Sequence, residues 1–272
     1  MMDHNEFCCV FDTSQYTGAP DAERCPQAVD VPRLVGRFDA LCSQGREEDA
    51  RDLLEQALET ARQGGDWRSE LSVTSELLGQ YRRTGEADKG LRTVSDALEL
   101  VRVHRMGRTV SGATVLLNAA TTLKAFGHAK DSIPIFTHVA RVYADNLDPS
   151  DYRFAGLYNN MALSFDDVGD LPSAERYFKL ALKVLEKTER PGNDCAVTWC
   201  NLAEMYGRRD PEDERIAACL ENAWACLNAP GLAHDGYHAF TISKCAPCFD
   251  YYGFFLYAKE LRERAEKIYA GT

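Results

Sequence analysis

After roughly thirty residues without regular spacing, apolar residues recur every three or four positions along the chain, as in helices that bury one face. Ala174, Tyr177, Phe178, Ala181, Leu182 and Leu185 stand at i, i+3, i+4, i+7, i+8 and i+11 and so form one apolar stripe. Comparable stripes run through Tyr158, Met161, Ala162 and Phe165, and through Trp199, Leu202, Ala203 and Tyr206. Paired stripes are separated by a glycine. Gly45, Gly85, Gly127, Gly169 and Gly253 follow one another at intervals of 40, 42, 42 and 84 residues. The doubled interval predicts one more turn near residue 211, where Asp210-Pro211 stands. The pattern predicts an all-α chain of about six helix-turn-helix repeats, at about 31–66, 67–108, 109–150, 151–193, 194–234 and 235–272. Residues 1–30 lie outside it as an extended or flexible segment.

Small residues recur at matching points of the second helices, in Ala50 and Ala57, Ala97, Ala174 and Ala181, and Ala258 and Ala265, where they let neighbouring helices approach closely. Breakers such as Gly64-Gly65-Asp66, Asp148-Pro149-Ser150 and Pro230-Gly231 end the units. An aromatic, a Leu-small pair and an aromatic before the turn (Trp199, Leu202-Ala203, Tyr206), with small, aromatic and small residues after it (Ala174, Phe178, Ala181), resemble the tetratricopeptide repeat (TPR) family. That family repeats every 34 or so residues; the period of about 42 is similar to its longer, kinesin-light-chain-like variant. The resemblance implies a right-handed α-α superhelix, a TPR-like solenoid. Gly90 and Ser132 depart from the family's Ala, Pro134 sits early in a second helix, and Pro247 is expected to interrupt the first helix of the last unit.

In that family the first helices line a groove that holds a peptide or protein segment, so the resemblance implies a protein-binding scaffold without enzymatic activity. Its groove positions map here to Asn118, Asn160 and Asn201, with Asn159 beside them, and to Glu76 and Lys244. An asparagine amide both donates and accepts, and a row of them can pair with the backbone of an extended peptide. The other reading is that each asparagine bonds the adjacent repeat and stiffens the stack. Further along the same helices come Arg82 and Arg83, Lys124, Asp166 and Asp167, then Arg208 and Arg209, as groove charges or as solvated helix ends. A second function class, a peptide-responsive regulator acting on a partner chain, fits the same pattern.

Composition narrows the partners. The net charge of −11 repels phosphate backbones and anionic lipid, which weighs against nucleic acid and membrane surfaces as partners. The charge is uneven, since residues 1–30 hold six acidic groups and one basic group, whereas 67–108 carry a net +2. No stretch has the apolar length of a membrane helix and no basic, then apolar leader opens the chain, so a cytoplasmic location is expected. Self-association stays open: the charged residues from Lys259 to Lys267 suit a polar end cap, and Phe7–Phe11 is an apolar island able to dock on the chain or on a neighbour.

Ten cysteines are too sparse for a disulfide scaffold and read as reduced thiols. Cys245-Ala-Pro-Cys248 lacks the strand-helix setting of a redox motif, and zinc there would need Cys219 and Cys226, or Cys195 and Cys200. Buried thiols between the last helices are the expectation, with a metal- or thiol-dependent activity as the third alternative. His234 and His238 are i, i+4, with His234 in a linker. Phosphate-binding, dinucleotide, nucleophile-elbow and zinc-protease motifs are not found, so no cofactor or metal is expected.

Overall fold

In the computed structural model, which describes residues 26–188 and 192–271, all five turn glycines occupy the left-handed region, with φ between 70° and 88°. A Cβ is strained there, so glycine at these points ends one helix and redirects the chain into the next. Twelve helices follow among the described residues: α1 (Val31–Ser43), α2 (Glu47–Gln63), α3 (Trp67–Thr84), α4 (Ala87–Val103), α5 (Val110–Ala125), α6 (Ala129–Asn146), α7 (Arg153–Asp167), α8 (Leu171–Leu185), α9 (Gly192–Arg209), α10 (Arg215–Leu227), α11 (Gly236–Tyr251) and α12 (Phe255–Gly271). Consecutive odd and even helices form six hairpins. The turn expected near residue 211 is the loop 210–214, where the Asp210 and Asp213 carboxylates accept from the Glu212 and Arg215 N–H groups.

Short polar side chains start many of the helices. Asp30, Asp66, Thr109, Asp170 and Asp235 each accept from a backbone N–H three residues on, satisfying an orphan donor of the first turn. Asp66 does more: its carboxylate also accepts from the Ala28 and Val29 N–H groups at 2.7 and 3.3 Å. It thereby anchors residues 28–29 to the start of α3. Of the leader expected over 1–30, residues 1–25, with the Phe7–Phe11 island, lie outside the described residues.

Among the described residues the chain divides into two compact units, one up to residue 147 and one from residue 148. Within the first, the first helices touch in succession, α1 with α3 and α3 with α5, while α2 and α4 each lie against the first helices on either side. The second unit is built alike, with α7 on α9 and α9 on α11. Aromatic side chains fill the seams: Phe136 and Tyr143 in the first unit, and Phe178 and Phe249 in the second, are wholly buried. Truncating any one of these phenylalanines to Ala would cost about 3–5 kcal/mol. The recurrent alanines Ala50, Ala97, Ala174, Ala181 and Ala258 have no exposed surface, as close helix approach requires.

The departures from the repeat have local causes. A Cβ on Gly90 would stand 2.5 Å from the Phe126 ring, so the bulk of Phe126 excludes Ala there. Ser132 is buried and donates its hydroxyl to the Ala129 carbonyl at 2.7 Å. Pro134 does not end α6. The interruption expected at Pro247 is not found either: α11 continues through it to Tyr251. Pro247 withholds one N–H from the Ser243 carbonyl, but both residues lie on the exposed side, where water can take that carbonyl.

Candidate functional site

Within each unit, side-chain hydrogen bonds about one repeat period long tie first helices together. In the first unit, Asn118 Nδ2 on α5 donates to Ser75 Oγ on α3 at 2.8 Å. In the second, Asn201 Nδ2 on α9 donates to Asn159 Oδ1 on α7 at 3.0 Å, and Tyr237 on α11 donates its hydroxyl to Asp194 on α9 at 2.7 Å. Each bond spans one repeat period of 42 or 43 residues. The asparagines thus join neighbouring hairpins. Asn160, placed by spacing in the same column, is half-buried and makes no side-chain hydrogen bond among the described residues.

The charged positions fall into two groups. Arg82, Lys124, Asp166 and Arg208 stand exactly one period apart in sequence, and at least two of them work across a seam. Arg82 donates to the Asn118 carbonyl at 3.0 Å and to Thr122 Oγ1 at 2.7 Å. Burial, then the neighbouring Arg83, lowers its pKa to about 10 against the pull of Glu76, so it stays cationic at neutral pH. Arg208 pairs with the buried carboxylate of Asp166, and Glu204 lies 3.9 Å from the same guanidinium. Lys124 is half-buried. Arg83 and Lys244 are exposed: Arg83 lies 5.5 Å over the Phe38 ring and 3.7 Å from Glu47, and Lys244 lies 5.4 Å over the Phe240 ring. Burial, then Asp39, pushes the Glu76 carboxyl above its usual range, with Arg83 and Arg82 opposing.

Counting −4, +3 and +7 from the column Glu76, Asn118, Asn160, Asn201 and Lys244 gives a stripe on each first helix that spacing alone did not reveal. On α3 it is Ser72, Glu76, Gly79 and Arg83; on α5, Thr114, Asn118, Thr121 and Ala125. On α7 it is Gly156, Asn160, Leu163 and Asp167; on α9, Val197, Asn201, Glu204 and Arg208. On α11 it becomes Phe240, Lys244, Pro247 and Tyr251. None of these residues is buried, although the faces beside them form the core. Phe240 and Tyr251 stand 51% and 77% exposed, an unusual cost for aromatic rings on a helix that already buries Ile242, Cys245 and Phe249.

The cysteines and histidines singled out in the sequence are placed as follows. Cys200, Cys245 and Cys248 are buried together as free thiols, and hydrogen bonding with Cys245 and Cys248, then burial, drives the Cys200 thiol well above its usual pKa. Among the described residues no group of three or more His, Cys, Asp or Glu is placed to hold a metal ion. His234 is exposed, whereas His238 is wholly buried and its Nδ1–H donates to Asn193 Oδ1 at 2.8 Å, joining α11 to α9. Two open surface hollows of about 500 Å³, beside α1–α2 and along α8, bring together no convergent reactive set.

A tetratricopeptide repeat model matches residues 39–63, the end of α1 and the whole of α2. No curated protein sequence matches the chain. Among solved structures, BtubC (BKLC) from P. vanneervenii is similar over 83% of this chain and 91% of its own, at 17% identity and a TM-score of 0.56. A putative kinesin light chain from Podospora anserina, with nearly identical TPR-like repeats, is similar over 74% of this chain and 95% of its own, at 16% identity and a TM-score of 0.52. No helix among the described residues is long and apolar enough to cross a membrane.

Proposed function

We propose that this chain, an all-α repeat protein of the tetratricopeptide, kinesin-light-chain-like fold, is a scaffold that binds a peptide or protein segment along the first-helix face of its second unit. The observation that carries this reading is the exposed column Phe240, Lys244, Pro247 and Tyr251 on α11. Two rings and a proline offer apolar contact at small entropic cost, and a lysine between them offers a charge-assisted hydrogen bond. Exposed rings next to a cation suit a segment that carries apolar side chains and an acidic group. Upstream on the same face, Asn160 presents an amide that can pair with a peptide backbone.

The first unit offers a different surface. Its columns on α3 and α5 hold small or polar side chains, and the Arg82 and Asn118 groups that could have met a ligand are already bonded across the seam. The asparagine row is therefore assigned a stacking role at Asn118 and Asn201, and a contact role at Asn160. A cytoplasmic setting belongs to this proposal. Selection of a random peptide display library on the full chain tests it: enriched peptides should pair apolar residues with Asp or Glu, and should compete with one another for one site.

A further inference from the structure

Cys195 and Cys226 bring their sulfur atoms to 2.7 Å. This is well inside the distance at which nonbonded sulfurs ordinarily sit, and a small side-chain adjustment separates it from the roughly 2.05 Å of a disulfide bond. Cys195 stands in the first turn of α9 and Cys226 in the last turn of α10, so the pair sits at the open end of this hairpin, opposite its 210–214 turn. Both side chains are half-buried and reachable by a small solute. By contrast, Cys200, Cys219, Cys245 and Cys248 are buried.

We propose that Cys195 and Cys226 are a modification site, closing to an intrachain disulfide when hydrogen peroxide reaches them. The two thiols divide the labour. Their shared hydrogen bond, then burial, holds the Cys195 thiol far above its usual range, whereas the same bond lowers Cys226, which ionises first. The Cys226 thiolate attacks one peroxide oxygen; the O–O bond breaks, the leaving hydroxide takes a proton to become water, and Cys226 becomes a sulfenic acid. Cys195 then loses its proton and attacks that sulfur; the S–O bond breaks, and the departing hydroxide leaves with that proton as a second water. Two thiols and one peroxide thus give one disulfide and two waters, with both sulfurs oxidised and the peroxide reduced. The bond closes a loop across 31 residues and ties the two ends of the hairpin together. The inference does not depend on the binding face.

Peroxide treatment of the reduced full-length chain, followed by alkylation and non-reducing peptide mapping, tests it on the wild-type protein. The expected result is a linked peptide pair containing Cys195 and Cys226, with an unfolding midpoint raised by roughly 5–10 °C and restored by dithiothreitol. Cys226→Ser should abolish both the link and the shift. If the wild-type chain instead links Cys200 to Cys245 or Cys248, or carries sulfinic acid at Cys226 without any link, the proposal is overturned.

Discussion

Asn118 on α5 and Ser75 on α3 form a 2.8 Å hydrogen bond that fastens the second hairpin to the third. Asn201 with Asn159 is its counterpart at the same register in the second unit. A half-buried amide–hydroxyl bond contributes about 1 kcal/mol. Asn118→Ala should therefore destabilise the chain by about that much in urea unfolding. Combined with Ser75→Ala, a double-mutant cycle should show about 0.5–1 kcal/mol of coupling. Strict additivity would mean that the two side chains do not interact.

Asp66 supplies a pH-dependent counterpart. Burial alone would raise its pKa, but hydrogen bonds from Ser69, Ala28 and Val29 outweigh burial and hold it at about 2, against 3.8 for a free aspartate. A carboxyl depressed in the folded state contributes stability in full above pH 3.8 and loses it as pH falls toward 2. Asp66→Ala should cost about 1–2 kcal/mol at pH 7. The gap between wild type and variant in urea midpoint should narrow between pH 4 and about 2.

The buried histidines act at milder pH. Burial lowers the pKa of His138 against the pull of the Gly107 carbonyl it bonds, and burial followed by the nearby His234 lowers that of His238. The unfolded chain then binds protons that the folded chain refuses, so stability is complete above pH 6.5 and declines as pH falls below it. Thermal midpoints measured between pH 8 and pH 5 should drop across this window. Replacing both histidines with Gln should flatten the decline.

Two glycines should respond in opposite directions to the same substitution. A Cβ on Gly112 would meet the Met106 carbonyl carbon and oxygen at 2.7 and 2.1 Å, and backbone cannot swing aside. Gly112→Ala should cost roughly 1–3 kcal/mol. On Gly156, the fourth residue of α7, a Cβ meets nothing within 4 Å, so Gly156→Ala should stabilise by up to about 0.5–1 kcal/mol. Chemical denaturation of the two variants separates them.

The hairpins were legible because a left-handed turn all but requires glycine, and five such turns recur at one period. Partner choice between hairpins was not legible. Asn201 bonds Asn159 and not Asn160, an offset of one residue set by how neighbouring helices stagger, which counting periods cannot show. Arg82 and Arg208 looked like groove charges in sequence, yet both bridge seams once the helices pack. The α11 column was hidden for another reason. This helix carries apolar residues on both sides, and spacing does not say that Ala239, Ile242 and Phe249 face the core while Phe240 and Tyr251 face solvent. The Cys195–Cys226 pair depends on the hairpin's closing geometry, and in sequence the two fell into separate candidate sets of zinc ligands.

The binding face is tested most directly by calorimetric titration of a selected peptide into the wild-type chain and two double variants. Phe240→Ala/Tyr251→Ala removes the rings of the α11 column, and Phe255→Ala/Leu256→Ala removes apolar groups, somewhat more exposed, at the start of α12. The first pair should weaken affinity by at least about tenfold, the loss of roughly 1.4 kcal/mol, and the second should leave it within about twofold. Equal affinity of the first variant and the wild type, or a loss confined to the second, would contradict the assignment of this face.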